Sequence, residues 1–167
     1  MIHPDHSKSK LNDLFDQLKT LHEEQKIQED GRNKSGPIWL NSEDPQTNIL
    51  MEQGYKAMAQ GNYTAAIETF SHLVKANPSY AEGWNKRATA YYLRGDYKAS
   101  LEDIRCTLKL EGRHFGALYG LASIYMAIGY YKGALAAFEK LAAIYPQRED
   151  IHSTIYSLHR KVNKSEN

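Results

Sequence analysis

Gly61-Asn62-Tyr63, Gly95-Asp96-Tyr97 and Gly129-Tyr130-Tyr131 stand in phase along the chain, each thirty-four residues from the next. A fixed period of that length marks a stack of helical hairpins, in which each unit is too small to bury its apolar face alone and does so against its neighbours. Ahead of each glycine, apolar or small residues recur at helical spacing: Leu50, Gly54 and Ala57; Trp84, Ala88 and Tyr91; Leu118, Leu121, Ala122 and Tyr125. Behind each glycine a second helical set follows: Tyr63, Ala66, Ile67, Phe70 and Leu73; Tyr97, Leu101, Ile104 and Leu108; Tyr131, Ala134, Leu135, Phe138 and Leu141. Small residues at Gly54, Ala88 and Ala122, and at Ala66, Ser100 and Ala134, leave room for two helices to approach closely. Pro78 and Pro146 fall just past the second helices of copies one and three, where proline stops a helix without breaking its interior, and Gly112 takes that place in copy two.

Bulk properties narrow the function classes. The 167 residues carry 21 Lys+Arg against 20 Asp+Glu, a net charge of +1, so the broad basic footprint of a dedicated nucleic-acid binder is missing and neither nucleic acid nor an anionic membrane is the expected partner. The lone Cys106 has no partner for an intramolecular disulfide, so the fold relies on packing. No stretch reaches the roughly 18 apolar residues of a membrane span, and the first eight residues hold no apolar run of signal-peptide type. The expectation is a cytoplasmic protein with no membrane insertion.

The repeated pattern resembles the tetratricopeptide repeat (TPR) family, whose signature is Trp-x2-Leu-Gly-x2-Tyr, then Ala-x3-Phe, then Pro, at a period of about 34. Copy one supplies Gly54, Ala66-x3-Phe70 and Pro78; copy two Trp84-x2-Arg87-Ala88-x2-Tyr91; copy three Leu118-x2-Leu121-Ala122-x2-Tyr125, Ala134-x3-Phe138 and Pro146. Gln53 and Arg87 stand at a usual leucine, and Ser100 and Ile104 replace Ala and Phe. The resemblance implies an all-α fold, a right-handed superhelical α-solenoid of three TPR helical hairpins at 47–80, 81–114 and 115–148, with a C-terminal capping helix and an additional N-terminal helix.

The flanks are read from their own periodicity. Ile151, Ile155, Leu158 and Val162 make an amphipathic helix over 149–163, suited to cap the last apolar face. Leu11, Leu14, Phe15, Leu18 and Leu21 form one apolar stripe on an otherwise polar helix of about 9–29, within an N-terminal region spanning 1–46. Asp30-Gly31-Arg32-Asn33-Lys34-Ser35-Gly36-Pro37 reads as a linker, and Asp44-Pro45 as an N-cap with proline in the first turn of the first repeat helix. Residues 1–46 hold 6 Lys+Arg against 9 Asp+Glu, or −3; residues 47–167 hold 15 against 11, or +4.

In TPR proteins the first helices of successive hairpins line a concave groove. The positions that resemble that lining are Asn48, Met51, Glu52, Tyr55 and Met58; Glu82, Asn85, Lys86, Thr89 and Tyr92; and Tyr119, Ser123 and Met126. Tyrosine gives rigid contact area with a hydrogen-bonding tip and methionine adapts to irregular partners, which suits an extended peptide or an amphipathic helix. The alternative for some of these side chains is packing against a neighbour or the N-terminal segment. Family members that hold chaperone C-termini use a two-carboxylate clamp of Lys and Asn, then Asn, then Lys and Arg. The matching positions here are Met51 and Tyr55, Lys86, and Gly116 and Gly120, so the resemblance implies no clamp. The basic residues of copy two, Lys86, Arg87, Arg94, Lys98, Arg105, Lys109 and Arg113, are interleaved with acids and read as a solvated face.

Nothing in the sequence assembles a catalytic site. His3 with His6 and His152 with His159 lack the further ligands of a metal centre, Cys106 reads as a buried structural thiol, His114 as a turn residue, and no phosphate loop, nucleophile elbow or dinucleotide fingerprint occurs. The expectation is a non-catalytic protein-interaction scaffold without cofactor, binding a partner's peptide or helix in its groove. A self-associating module, in which the N-terminal helix docks on its own repeats or swaps between two copies, is the alternative.

Overall fold

A computed structural model of the chain describes residues 44–165. The N-terminal helix expected over 9–29, and the linker after it, lie outside the described residues. Among the described residues there are seven α-helices: α1 Pro45–Ala59, α2 Tyr63–Ala76, α3 Ala81–Arg94, α4 Tyr97–Leu110, α5 Phe115–Ala127, α6 Tyr131–Ile144 and α7 Glu149–Ser165. They fall into two compact units, one ending at Gly112 with α1 to α4 and one beginning at Arg113 with α5 to α7.

The three in-phase glycines are explained by one turn made three times. Gly61, Gly95 and Gly129 have φ of 72°, 89° and 79°, the left-handed region that an L side chain enters only with strain. In each case the following N–H, of Asn62, Asp96 or Tyr130, donates back to the carbonyl of Ala57, Tyr91 or Tyr125 at 2.9, 2.8 and 2.8 Å. The glycine N–H donates to Met58, Tyr92 or Met126. This double bond pattern satisfies the orphan carbonyls of the first helix and reverses the chain into the second. Gly-x-Tyr is therefore the C-terminus of one helix, the N-cap of the next and its first residue.

In the first unit, α1 packs on α2, α2 on α3 and α3 on α4. Asp44 caps α1, its carboxylate accepting from the N–H groups of Gln46 and Thr47, and Pro45 opens the helix. Gly54 lies against the ring of Phe70, so that a Cβ would overlap that ring. Phe70, Leu73, Ala66 and Met51 are fully buried together with Ile67, Val74 and Ala90, and Trp84, Tyr80 and Tyr91 pack around them. Each such large side chain removed from water contributes about 1.5–3 kcal/mol, before the entropy of ordering it.

The middle hairpin departs from its neighbours in chemistry but not in geometry. Where α2 buries Ala66, Phe70 and Leu73 and α6 buries Ala134, Phe138 and Leu141, α4 buries Ser100, Ile104 and Thr107. The expected apolar set named Leu108; the residue in register with the two leucines is Thr107, and Leu108 is half-buried. The buried hydroxyls are satisfied locally, Ser100 Oγ donating to the Ala88 carbonyl at 2.7 Å and Thr107 Oγ1 to the Asp103 carbonyl at 2.9 Å. Arg87, at the position of a usual leucine, pairs with Asp103 through two hydrogen bonds of 2.7 Å, Nε to Oδ2 and Nη2 to Oδ1, and its Nη1 donates to Ser71 Oγ at 3.2 Å. One side chain thus ties α3 to both α2 and α4.

In the second unit, α5 packs on α6 and α6 on α7. Phe115 meets Tyr145 edge-on at 5.1 Å between ring centroids, and the Arg148 guanidinium lies 5.3 Å from the Phe115 centroid. Along α7, Ile151, Leu158 and Val162 are buried while His152, Tyr156, His159 and Arg160 are exposed, so one side is apolar and the other polar, over a helix two residues longer than 149–163.

Candidate functional site

The candidate lining residues divide between contacts with the second helix of their own hairpin, as for Met51, Tyr92 and Tyr119, and positions away from it. On α1, Met51 is fully buried and belongs to the core around Phe70; Asn48, Tyr55 and Met58 are half-buried, and Glu52 is exposed. On α3, Asn85, Lys86 and Tyr92 are 5%, 6% and 6% exposed, while Glu82 and Thr89 are half-buried. The Lys86 ammonium stands 5.5 Å from the centroid of the Tyr55 ring, which joins the α1 and α3 sides of this face through a cation and an aromatic ring. Tyr92 packs its ring on Tyr97 at 5.4 Å, and Thr89 Oγ1 donates to the Asn85 carbonyl at 3.0 Å. Tyr80, at the N-cap of α3, has its phenol pushed up to about 12 by burial, with the Glu82 carboxylate adding to it.

In the second unit the three candidates differ from one another. Tyr119 is 4% exposed, edge-on to Phe138 at 5.4 Å and tilted on Phe115 at 5.8 Å. Burial pushes its phenol up to about 12, the Asp150 carboxylate adding to that and Arg148 opposing it. Ser123 is fully buried, its Oγ donating to the Tyr119 carbonyl at 2.8 Å, and Met126 is half-buried. Alanine at Tyr119 therefore tests the packing of the third hairpin as much as any surface on it.

The basic cluster of copy two divides. Arg105, Lys98, Lys109 and Arg113 are exposed, and Arg94 is ion-paired with Asp96 at 2.6 Å on the surface, as a solvated face requires. Lys86 and Arg87 are not part of it: one is buried on the α1/α3 face and the other sits in the ion pair between helices. Sequence reasoning missed both contacts. A signal existed for the first, since Thr89 is the repeat equivalent of Tyr55 and Lys86 lies one helical turn before it. Cys106 is half-buried rather than buried. His114 caps α5, its Nδ1 accepting from the N–H of Ala117 at 3.1 Å.

A cation over a tyrosine, an amide and a methionine stand on adjoining first helices, and the repeat geometry around them has relatives. The tetratricopeptide repeat family model matches residues 51–105 and 94–149. The chain belongs to the tetratricopeptide repeat family. A TPR repeat-containing protein of Rhizobium etli is 34% identical over 155 residues, covering 93% of this chain and 76% of that protein. Among solved structures, the first TPR domain of human RPAP3 superposes with a TM-score of 0.66 at 20% identity, over 73% of this chain and 96% of that domain. The first TPR of Spaghetti (RPAP3), solved bound to the HSP90 peptide SRMEEVD, gives a TM-score of 0.65 at 19% identity, over 71% and 96%. At those identities the likeness is one of fold: the TPR chain is all-α and built of TPR helical hairpins. No described helix is long and apolar enough to cross a membrane.

Proposed function

We propose that this TPR protein is a non-catalytic interaction module that takes a peptide or amphipathic helix of another protein on the first-helix faces of its repeats. The Tyr55–Lys86 pair carries the reading. An aromatic ring and a cation 5.5 Å apart, with Asn85 and Thr89 on the same helix as the cation and Met58 one turn past the ring, offer apolar contact, a charge and hydrogen-bonding groups within one helix width. Solved TPR neighbours that hold chaperone peptides support the mode.

The ligand differs from theirs. At the positions of the two-carboxylate clamp, Met51 is sealed in the core, Tyr55 is aromatic, Gly116 and Gly120 carry no side chain, and Lys86 alone is cationic. A terminal carboxylate is not gripped by one ammonium. Calorimetric titration with the SRMEEVD peptide is expected to show binding no tighter than about 1 mM, against the roughly micromolar affinity, near −8 kcal/mol, expected for the proper ligand. Peptide-display selection on the full chain should return ligands whose binding falls at least about tenfold in Tyr55→Ala and Lys86→Ala, both of which leave the apolar core intact. Selected ligands indifferent to both substitutions would place recognition elsewhere on the chain.

A further inference from the structure

Among the described residues five large apolar side chains stay largely exposed, and two of them share one turn. Ile128 is 56% and Tyr130 52% exposed, on either side of Gly129 where α5 passes into α6. The other two hairpins close through a glycine of the same left-handed kind with polar neighbours, Gln60 and Asn62 in the first, Arg94 and Asp96 in the second. The exchange works against the local structure. Asn62 caps α2, its side chain accepting from the N–H of Ala65 at 3.2 Å, whereas Tyr130 stands at the N-cap of α6 without a side-chain cap bond. Where the first two hairpins have Ala65 and Ala99, the third has Gly133, a poorer helix former. That glycine has a steric reason, since a Cβ there would overlap the rings of both Tyr130 and Tyr125. Tyr125 and Tyr130 meet edge-on at 5.1 Å between centroids. Their contact offsets part of the loss, but it leaves half of the Tyr130 ring and most of Ile128 in water, where folding gains nothing from them. A ring seated in one orientation and left half exposed is a pre-organised anchor.

We propose that the turn of Ile128 and Tyr130 is a second docking surface, for an acidic segment of a partner protein that sets an apolar side chain among carboxylates. Charge selects that occupant. The Lys161 ammonium lies 5.1 Å from the centroid of the Tyr131 ring, which brings the C-terminal end of α7 beside the turn. Lys132, Arg160, Lys161 and Lys164 are all exposed. No Asp or Glu occurs between Tyr125 and Phe138 or between His152 and Ser165. An apolar knob rimmed by cations meets a complementary potential on an acidic partner, whereas a second copy of the same turn would bring like charges together. A net charge of only +1 on the whole chain disfavours a nucleic acid or an anionic membrane in that place. The surface belongs wholly to the second unit and stands or falls apart from the reading of the α1/α3 face.

Fluorescence anisotropy on the full chain tests this with labelled peptides that set one phenylalanine or leucine between runs of aspartate. Dissociation constants of about 0.1 mM are expected, weakened at least about tenfold when serine replaces the aspartates or alanine the apolar residue. Ile128→Gln with Tyr130→Asn gives the turn the residues of the first hairpin. It should weaken binding at least about tenfold while the melting temperature stays within about 4 °C of the parent. Gly133→Ala keeps both apolar side chains but unseats the ring, for an expected loss of about fivefold. Lys161→Glu with Lys164→Glu should lose about tenfold. Parent binding no tighter than about 1 mM overturns the proposal, as does binding that the Ile128→Gln, Tyr130→Asn protein retains. So does capture of phosphatidylserine vesicles or oligouridine in preference to the acidic peptides, or a dimer in light scattering that the same two substitutions dissolve, which would assign the turn to a membrane, a nucleic acid or a second copy.

Discussion

Arg87 shows how a residue that breaks a family pattern can be held by the fold. Its guanidinium replaces a leucine, and the Asp103 carboxylate that receives it is 4% exposed in its side chain. Burial pushes that carboxyl up and the Arg87 partner opposes it, while the hydrogen bonds to Asp103 push the guanidinium up. With two bonds of 2.7 Å in register, the pair is ionised at neutral pH. Removing one member strands the other. Asp103→Ala is expected to destabilise the protein by about 3–5 kcal/mol, whereas Arg87→Leu with Asp103→Leu should lie within about 1 kcal/mol of the parent or above it. Urea unfolding of the three proteins decides; a single substitution no worse than the double would mean the pair is not coupled. Trp84 and Tyr91 flank the same guanidinium at 5.2 and 5.7 Å, so replacing Arg87 removes stacking as well as charge, while Asp103→Ala removes charge alone.

At the scale of the element, two kinds of glycine do different work. Gly95 has nothing within 4 Å of where a Cβ would be, and only its φ of 89° resists a side chain. Gly54 has ordinary backbone but faces the Phe70 ring. Gly95→Ala is expected to cost about 1–2 kcal/mol of backbone strain with the core unchanged. Gly54→Ala should cost at least as much, about 1–3 kcal/mol, through forced repacking of Phe70. Calorimetric melting gives both values, and near-UV circular dichroism separates them: the aromatic signal moves in Gly54→Ala only. The turns were legible in the sequence because a left-handed C-terminus leaves glycine few substitutes. Of the hairpin core, the second-helix positions Ala66, Ile67, Phe70, Leu73, Ala134, Phe138 and Leu141 were legible from apolar spacing, whereas buried Val74, Phe115 and Ile124 stood outside the expected sets. Spacing was less informative in α4, where Thr107 takes the position of a leucine and periodicity alone preferred Leu108. The Arg87–Asp103 pair was illegible because it joins residues on different helices. Of the candidate face, residue types could be read but not depth: whether Met51 or Tyr119 reaches inward depends on how its helix sits over Phe70 or Phe138, which spacing does not specify.

At the scale of the whole molecule, each unit contains a tyrosine whose ionisation folding strongly suppresses, and burial pushes the phenol of Tyr97 up as well. Tyr80 in the first and Tyr119 in the second are both pushed up to about 12 from an ordinary value near 10, chiefly by burial. Because the folded value lies above the unfolded one, the native state favours the neutral phenol. The associated stability is complete below pH 10 and is lost as pH rises through about 12. For Tyr119, the more deeply buried, the loss is about 2 kcal/mol. Thermal melting between pH 9 and 12 should fall steeply in the parent and less steeply in Tyr119→Phe, which cannot ionise there; parallel curves would remove the phenol as the cause.

The three-way contact of Arg87 has a bearing on how such a chain can grow. Repeat proteins lengthen by copying a hairpin in tandem, and most hairpins tolerate a copy of themselves as neighbour. The middle one here would lose a contact on copying, because its arginine looks back to Ser71 of the hairpin before it, and thirty-four residues on from Ser71 stands Arg105. A duplicated middle hairpin would set guanidinium against guanidinium at that junction. One side chain thus marks which hairpin fits before the middle one: a serine at that junction is a hydrogen-bond partner, and an arginine there is a like charge.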